Sequence, residues 1–174
     1  MRMRCNLRPP ADEHSPPPVY ENVYDKSYAR ILSQKIWQTA GMERDALIMV
    51  DRTGAAFASI GLFVTAKDAA RFGELFRDGG RSIDGKQVLP EKWVKASTNY
   101  DKRTGGGPRG YQWMKWSHGY TAQCFGTQRI QVALALDMVG VRLGNDPVDS
   151  IAPKEFEAVY MAVAKKLGAG RQRR

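Results

Sequence analysis

The chain has 174 residues, 43% hydrophobic and 26% charged, which suits one domain with a core of its own. It has no apolar run of about eighteen residues, and its arginine-bearing start lacks the apolar centre of an export signal, so no membrane partner is expected, and the sequence sets no compartment beyond the cytoplasm for a chain expressed as it stands. Six of the +9 net charges are Arg2, Arg4, Arg8, Arg171, Arg173 and Arg174, at the two ends, so the body offers no basic face for nucleic acid.

Residues 1–22 hold five of the nine prolines, three arginines and no hydrophobic periodicity, and are predicted to be a disordered leader. Residues 23–168 should form the folded part and residues 169–174 a basic tail. Tyr28, Ile31, Leu32 and Ile36 recur at helical spacing, with Asp25 or Ser27 able to cap the start and Gly41 the end. Ala46–Val50 reads as a short buried strand, and Asp51-Arg-Thr-Gly54 as its turn.

In "TAKDAARFGELFRDGG", Thr65 and Asp68 make a capping pair, Ala69, Phe72, Gly73 and Phe76 share a face, and Gly79-Gly80 end the helix. Pro90 opens a further helix, and Gly105-Gly106-Gly107-Pro108 falls in a loop over 99–110. "GYQWMKW", "TQRIQVALAL" and "MVGVRLG" read as three strands, the last two forming an antiparallel hairpin around Asp137. Pro153 to Leu167 is a helix with Phe156, Val159, Tyr160, Val163 and Leu167 on one stripe. This order of elements predicts an α+β fold, an antiparallel sheet with flanking helices. Two cysteines and two histidines supply neither a disulfide framework nor a zinc pattern, and no metal or cofactor is expected.

Taken in order, "SYARILSQKIWQTAGMERDALIMVDRTG", "SIGLFVTAKDAARFGELFRDGG", "QVLPEKWV", "GYQWMKW" and "FGTQRIQV" resemble the C-terminal part of the penicillin-recognising serine hydrolases. The branch they are most like contains class C β-lactamases, related esterases and 6-aminohexanoate-dimer hydrolases. The resemblance implies an incomplete β-lactamase/transpeptidase-like fold. The parent reaction would be hydrolysis of a small-molecule amide, ester or β-lactam through an acyl-serine. That chemistry needs Ser-x-x-Lys, in which the lysine takes the proton of a hydroxyl otherwise too weak to attack a carbonyl.

None of the eight serines, and no threonine, has lysine three positions later. The chain therefore reads as a fragment without its nucleophile, inactive alone, with a complementing N-terminal half or self-association as the implied partner. Its proline-rich start fits a change of frame or a rearranged gene end. A non-catalytic binding or interaction module made from the same fold is the alternative.

Tyr20-Glu21-Asn22 spells the family's Tyr-x-Asn but sits too close to the first helix to be its counterpart. Two registers place the family's Lys-Thr-Gly region. Counting back from Phe125-Gly126-Thr127 puts it at His118-Gly119-Tyr120, with His118 facing a substrate carboxylate or oxyanion, or lying in an exposed loop. The dimer-hydrolase pattern Ala-x-Gly-x-x-Gly-Gln instead matches "AQCFGTQ", with Cys124 and Thr127 in place of glycines and Gly126 and Gln128 beside them. Cys124 is read as a small buried hydrophobe. Tyr111, Trp113 and Trp116 line a cleft or pack a core.

Overall fold

The computed structural model describes residues 24–52, 54–57, 61–99, 111–145 and 153–168. The leader over 1–22, the Tyr20-Glu21-Asn22 motif, most of the 99–110 loop and the basic tail lie outside the described residues.

Helix α1 (Tyr28–Leu32) runs directly into a π-helical turn, Ser33–Trp37, where a regular helix was expected. The widened turn is marked by Gln38 N–H donating to Ser33 O at 3.0 Å. The Trp37 indole N–H donates to Arg44 O at 2.8 Å. Local periodicity does not encode such a contact.

Strand β1 (Leu47–Ile48) pairs antiparallel with β2 (Leu62–Phe63), and Gly54 N–H donates to Asp51 O in the turn region between them. The expected burial of Ala46–Val50 is not seen. Leu47 and Val50 are 55% and 52% exposed, while Ala46 and Ile48 are half-buried.

Helix α2 (Ala66–Arg77) forms as its sequence predicts: Asp68 N–H donates to Thr65 Oγ1, and Thr65 Oγ1–H donates back to Asp68 Oδ2 at 2.7 Å. Helix α3 (Glu91–Ser97) follows Pro90, one residue later than expected. A four-stranded antiparallel meander comes next: β3 (Met114–Trp116), β4 (Gly119–Cys124), β5 (Gln128–Ala133) and β6 (Met138–Arg142), side by side in that order. Sequence reading assigned three of these strands and passed over β4. Its alternation of Tyr120 and Ala122 with Thr121 and Gln123 carried the signal, hidden by its glycine start and polar half. The β5–β6 hairpin is as expected, turning through Asp137 in a left-handed conformation.

The register divides the sheet into two faces. Tyr120, Ala122, Ile130, Val132, Val139 and Val141 share one face, and α2 packs on it around Phe72 and Phe76. Gly73 makes the approach possible, since a Cβ there would meet Val139 Cγ1 at 2.6 Å and Ile130 Cγ2 at 2.9 Å. Trp116, Thr121, Arg129, Gln131 and Gly140 share the other face, covered by α4 (Pro153–Leu167). There Tyr160 lies over Gly140, edge-on to Trp116 at 5.1 Å, and its hydroxyl donates to Met138 O at 3.0 Å.

The sheet-facing row of α4 is Phe156, Tyr160 and Ala164. The neighbouring row of Val159, Val163 and Leu167 points outward, with Val159 61% and Leu167 72% exposed. The single stripe expected from sequence is thus two rows. Phe156, Tyr160 and Ala164 repeat every four residues, a spacing that keeps one narrow row against a sheet. The result is the expected α+β architecture, helix on sheet on helix.

Candidate functional site

Strand β4 connects the two places that sequence reasoning marked. His118-Gly119-Tyr120 lies at its start and Cys124 to Gln128 at its end, roughly 17 Å apart for five steps of an antiparallel strand. The six candidate residues therefore do not converge on one point.

At the first end, Ser117 and His118 form the two-residue turn between β3 and β4, with Trp116 paired to Gly119. His118 packs edge-on to Trp116 at 5.1 Å, and its Nε2 lies 3.9 Å from Glu157 Oε1 on α4. Ser117 Oγ donates to the same carboxylate oxygen at 2.8 Å. Gly119 is required by close approach, because a Cβ would run into Val132 O. Tyr120 is core: it is buried, 5.1 Å from Trp113, and its hydroxyl donates to Phe76 O at 2.7 Å. Trp113 packs on Phe76 at 4.6 Å, whereas Tyr111 is exposed and stacks against Trp93.

At the second end, Gly126 and Thr127 both adopt left-handed backbone, φ 74° and 64°. Thr127 is a β-branched residue in a conformation that favours glycine. Arg142 Nη1 donates to Thr127 O at 2.9 Å and also contacts its hydroxyl. Gln128 is fully buried and clasps Gly144: its Nε2 donates to Gly144 O, and Gly144 N–H donates to its Oε1 at 3.1 Å. This clasp fixes the chain after β6 against the turn. Cys124 is half-buried.

Sequence reasoning missed Arg142. The only signal for it was its place across the hairpin from Arg129.

A densely hydrogen-bonded carboxylate lies elsewhere. Asp68 is fully buried and accepts from Glu43 N–H at 2.7 Å, Arg44 N–H at 3.3 Å, Thr65 Oγ1–H and Arg71 Nη1 at 3.2 Å. Burial alone would raise its pKa, but the donors, Glu43 N–H foremost, bring it below the ordinary value. Glu43 in turn takes Arg71 and Lys67 and is held down at about 2, chiefly by the hydrogen bond from Arg71. The Gly-Met-Glu-Arg turn at 41–44 is thus fastened to the start of α2 by carboxylates that serve structure. Among the described residues no group of His, Cys, Asp or Glu is placed to hold a metal ion, and no helix is long and apolar enough to cross a membrane.

An antiparallel meander between helices is compatible with a fragment of a β-lactamase-like serine hydrolase, and the likenesses that follow put the chain in that family. Within it, the chain is similar to the 6-aminohexanoate-dimer hydrolase of Paenarthrobacter ureafaciens, 33% identical over 139 residues, which cover 78% of this chain and 35% of that protein. A solved structure from Bacillus anthracis, provisionally named a 6-aminohexanoate-dimer hydrolase, superposes with a TM-score of 0.75 at 27% identity, covering 88% of this chain and 42% of that one. The chain thus spans about a third of the length of the curated relative it matches. No family model matches it.

Proposed function

We propose that the chain is the C-terminal, substrate-side part of a serine hydrolase of this family, inactive until a segment carrying Ser-x-x-Lys is added. The parent reaction is acyl transfer from a linear amide, ester or lactam to serine and then to water. The observation that carries the reading is the match to the dimer hydrolase over 139 residues in a chain with no Ser-x-x-Lys. Two surfaces support it, the ribbon with Leu47, Met49 and Val50 exposed and the outer row of α4, both apolar and open to a covering segment.

Of the two registers, "AQCFGTQ" fits better as the strand and turn beside the substrate. Thr127 holds the backbone that the family pattern gives to glycine, and His118 is turned toward Glu157 on α4.

The test is hydrolysis of nitrocefin, a p-nitrophenyl ester and the linear 6-aminohexanoate dimer by the purified chain, with and without a separately expressed family segment bearing Ser-x-x-Lys. Alone it should give no turnover above buffer, since losing the serine of a comparable triad costs roughly a million-fold. The added segment should bind and restore turnover. Hydrolysis by the chain alone that disappears in a Ser33→Ala or Ser117→Ala variant overturns the reading. A segment that binds and covers the apolar surfaces without restoring turnover favours the non-catalytic module.

A further inference from the structure

On the face of the sheet away from α2, three neighbouring strands place polar side chains in one row: Gln123 on β4, Arg129 on β5 and Arg142 on β6. The row ends at the first turn of α4, where the Arg129 guanidinium sits over the Phe156 ring, 5.7 Å from its centroid. Arg129 is only 8% exposed. Its guanidinium has five N–H donors and, among the described residues, makes no side-chain hydrogen bond or ion pair besides its place over that ring.

A buried arginine normally has an anionic partner. The carboxylates of the adjoining turn of α4 do not supply one. Glu157 is engaged with Ser117 and lies beside His118, and among the described residues Glu155 forms no ion pair with Arg129. Arg142, directly across the ladder, adds a second positive charge at a position where like charges repel. Burial and the Arg142 charge both work against the charged form of Arg129. The first turn of a fifteen-residue helix adds N–H groups without intrahelical acceptors and the positive end of the helix dipole.

We propose that Arg129, supported by Arg142 and the first turn of α4, binds a small oxyanion, a phosphate or carboxylate group, at this end of the sheet. The planar guanidinium can engage two oxygens of such a group while its other face stays on Phe156. An anion there offsets the repulsion between the two arginines and ties β5, β6 and α4 together. The site does not depend on the hydrolytic reading and is tested without turnover.

The experiment is thermal unfolding and calorimetric titration of the full chain with inorganic phosphate and, separately, with acetate, at constant ionic strength set with chloride. At a concentration ten-fold above Kd, the bound anion should raise Tm by about 3–5 °C. Phosphate acting alone or acetate acting alone assigns the class of oxyanion. Arg129→Gln should abolish the shift. Arg129→Lys, which keeps the charge and much of the stem but loses the planar fork, should fold and bind several-fold more weakly. A shift reproduced by chloride, no shift with either anion, or equal binding by the wild type and the Lys variant overturns the proposal.

Discussion

The carboxylate of Asp68 accepts hydrogen bonds from the backbone N–H groups of Glu43 and Arg44, 25 and 24 residues earlier in the chain. One side chain thereby holds the Thr65 cap of α2 and fixes the turn that leads out of the π-helical segment. Replacing it by Ala leaves two amides and the Thr65 hydroxyl without their acceptor and Arg71 short of one partner. Unsatisfied buried donors cost about 1–3 kcal/mol each, partly relieved by water, so Asp68→Ala should lose about 2–4 kcal/mol. Thermal denaturation should show a Tm fall of roughly 5–15 °C. Asp68→Asn keeps one acceptor oxygen and should lose less. A surface-like effect under 0.5 kcal/mol would show that the turn is held by something else.

The same cluster sets an acid limit. Glu43 falls from its ordinary 4.5 to about 2 in the folded chain, and Asp68 is also lowered. For a carboxylate with a depressed folded pKa, the stabilisation is fully present above the unfolded value and is lost as pH falls through the folded one. Stability should therefore be flat above about pH 5 and decline between roughly pH 4.5 and 2. Urea titrations at stepped pH would show it. Glu43→Gln should flatten the slope, and an unchanged slope in that variant would mean the Arg71–Glu43 contact is not maintained in solution.

Two glycines set the spacing of the layers, one on each side of the sheet. Alanine at Gly73 gains up to about 1 kcal/mol of helix propensity, but its methyl meets Val139 and Ile130, and overpacking costs about 1–3 kcal/mol. The net effect should be destabilising. At Gly140 a methyl runs into the Tyr160 ring, with no propensity gain large enough to offset it, and threatens the Tyr160 bond to Met138 O. Gly140→Ala should thus be the more damaging of the two by urea midpoint, with loss of near-UV signal from Trp116 and Tyr160. Equal tolerance at both sites would argue that the layers sit farther apart.

Much of this was legible in sequence because it is local. The Thr65–Asp68 cap, the Gly79-Gly80 stop and the β5–β6 hairpin depend on residues a few positions apart. What was not legible depends on tertiary placement. Nothing in "AGMERD" says that its amides will meet a carboxylate 25 residues on. Nothing within α4 says that Val159 and Val163 will face outward while Ala164 is buried. Strand β4 was hidden because one of its ends carries a glycine demanded by Val132 O across the ladder, a reason invisible along the chain. The candidate residues were placed by resemblance, and resemblance gave two registers at opposite ends of one strand.

Those registers can be separated at Thr127. Its left-handed φ of 64° costs about 1–2 kcal/mol for a side chain with a Cβ, and glycine removes that strain. Glycine also removes the hydroxyl, which donates to Gly126 O at 2.6 Å and contacts Arg142, while the bond from Arg142 to Thr127 O is made by backbone and survives. Losing the hydroxyl contacts costs about 1 kcal/mol, so Thr127→Gly should be neutral or slightly stabilising. Thr127→Ala loses the same contacts without relieving φ and should be destabilised by about 1 kcal/mol. In chain reconstituted with a Ser-x-x-Lys segment, a turn bordering the substrate predicts that Thr127→Gly maintains or raises kcat/KM by opening the backbone approach, and that His118→Ala, beyond the other end of β4, leaves it unchanged. A kcat/KM that collapses in His118→Ala and ignores Thr127 would move the substrate to the other end of β4.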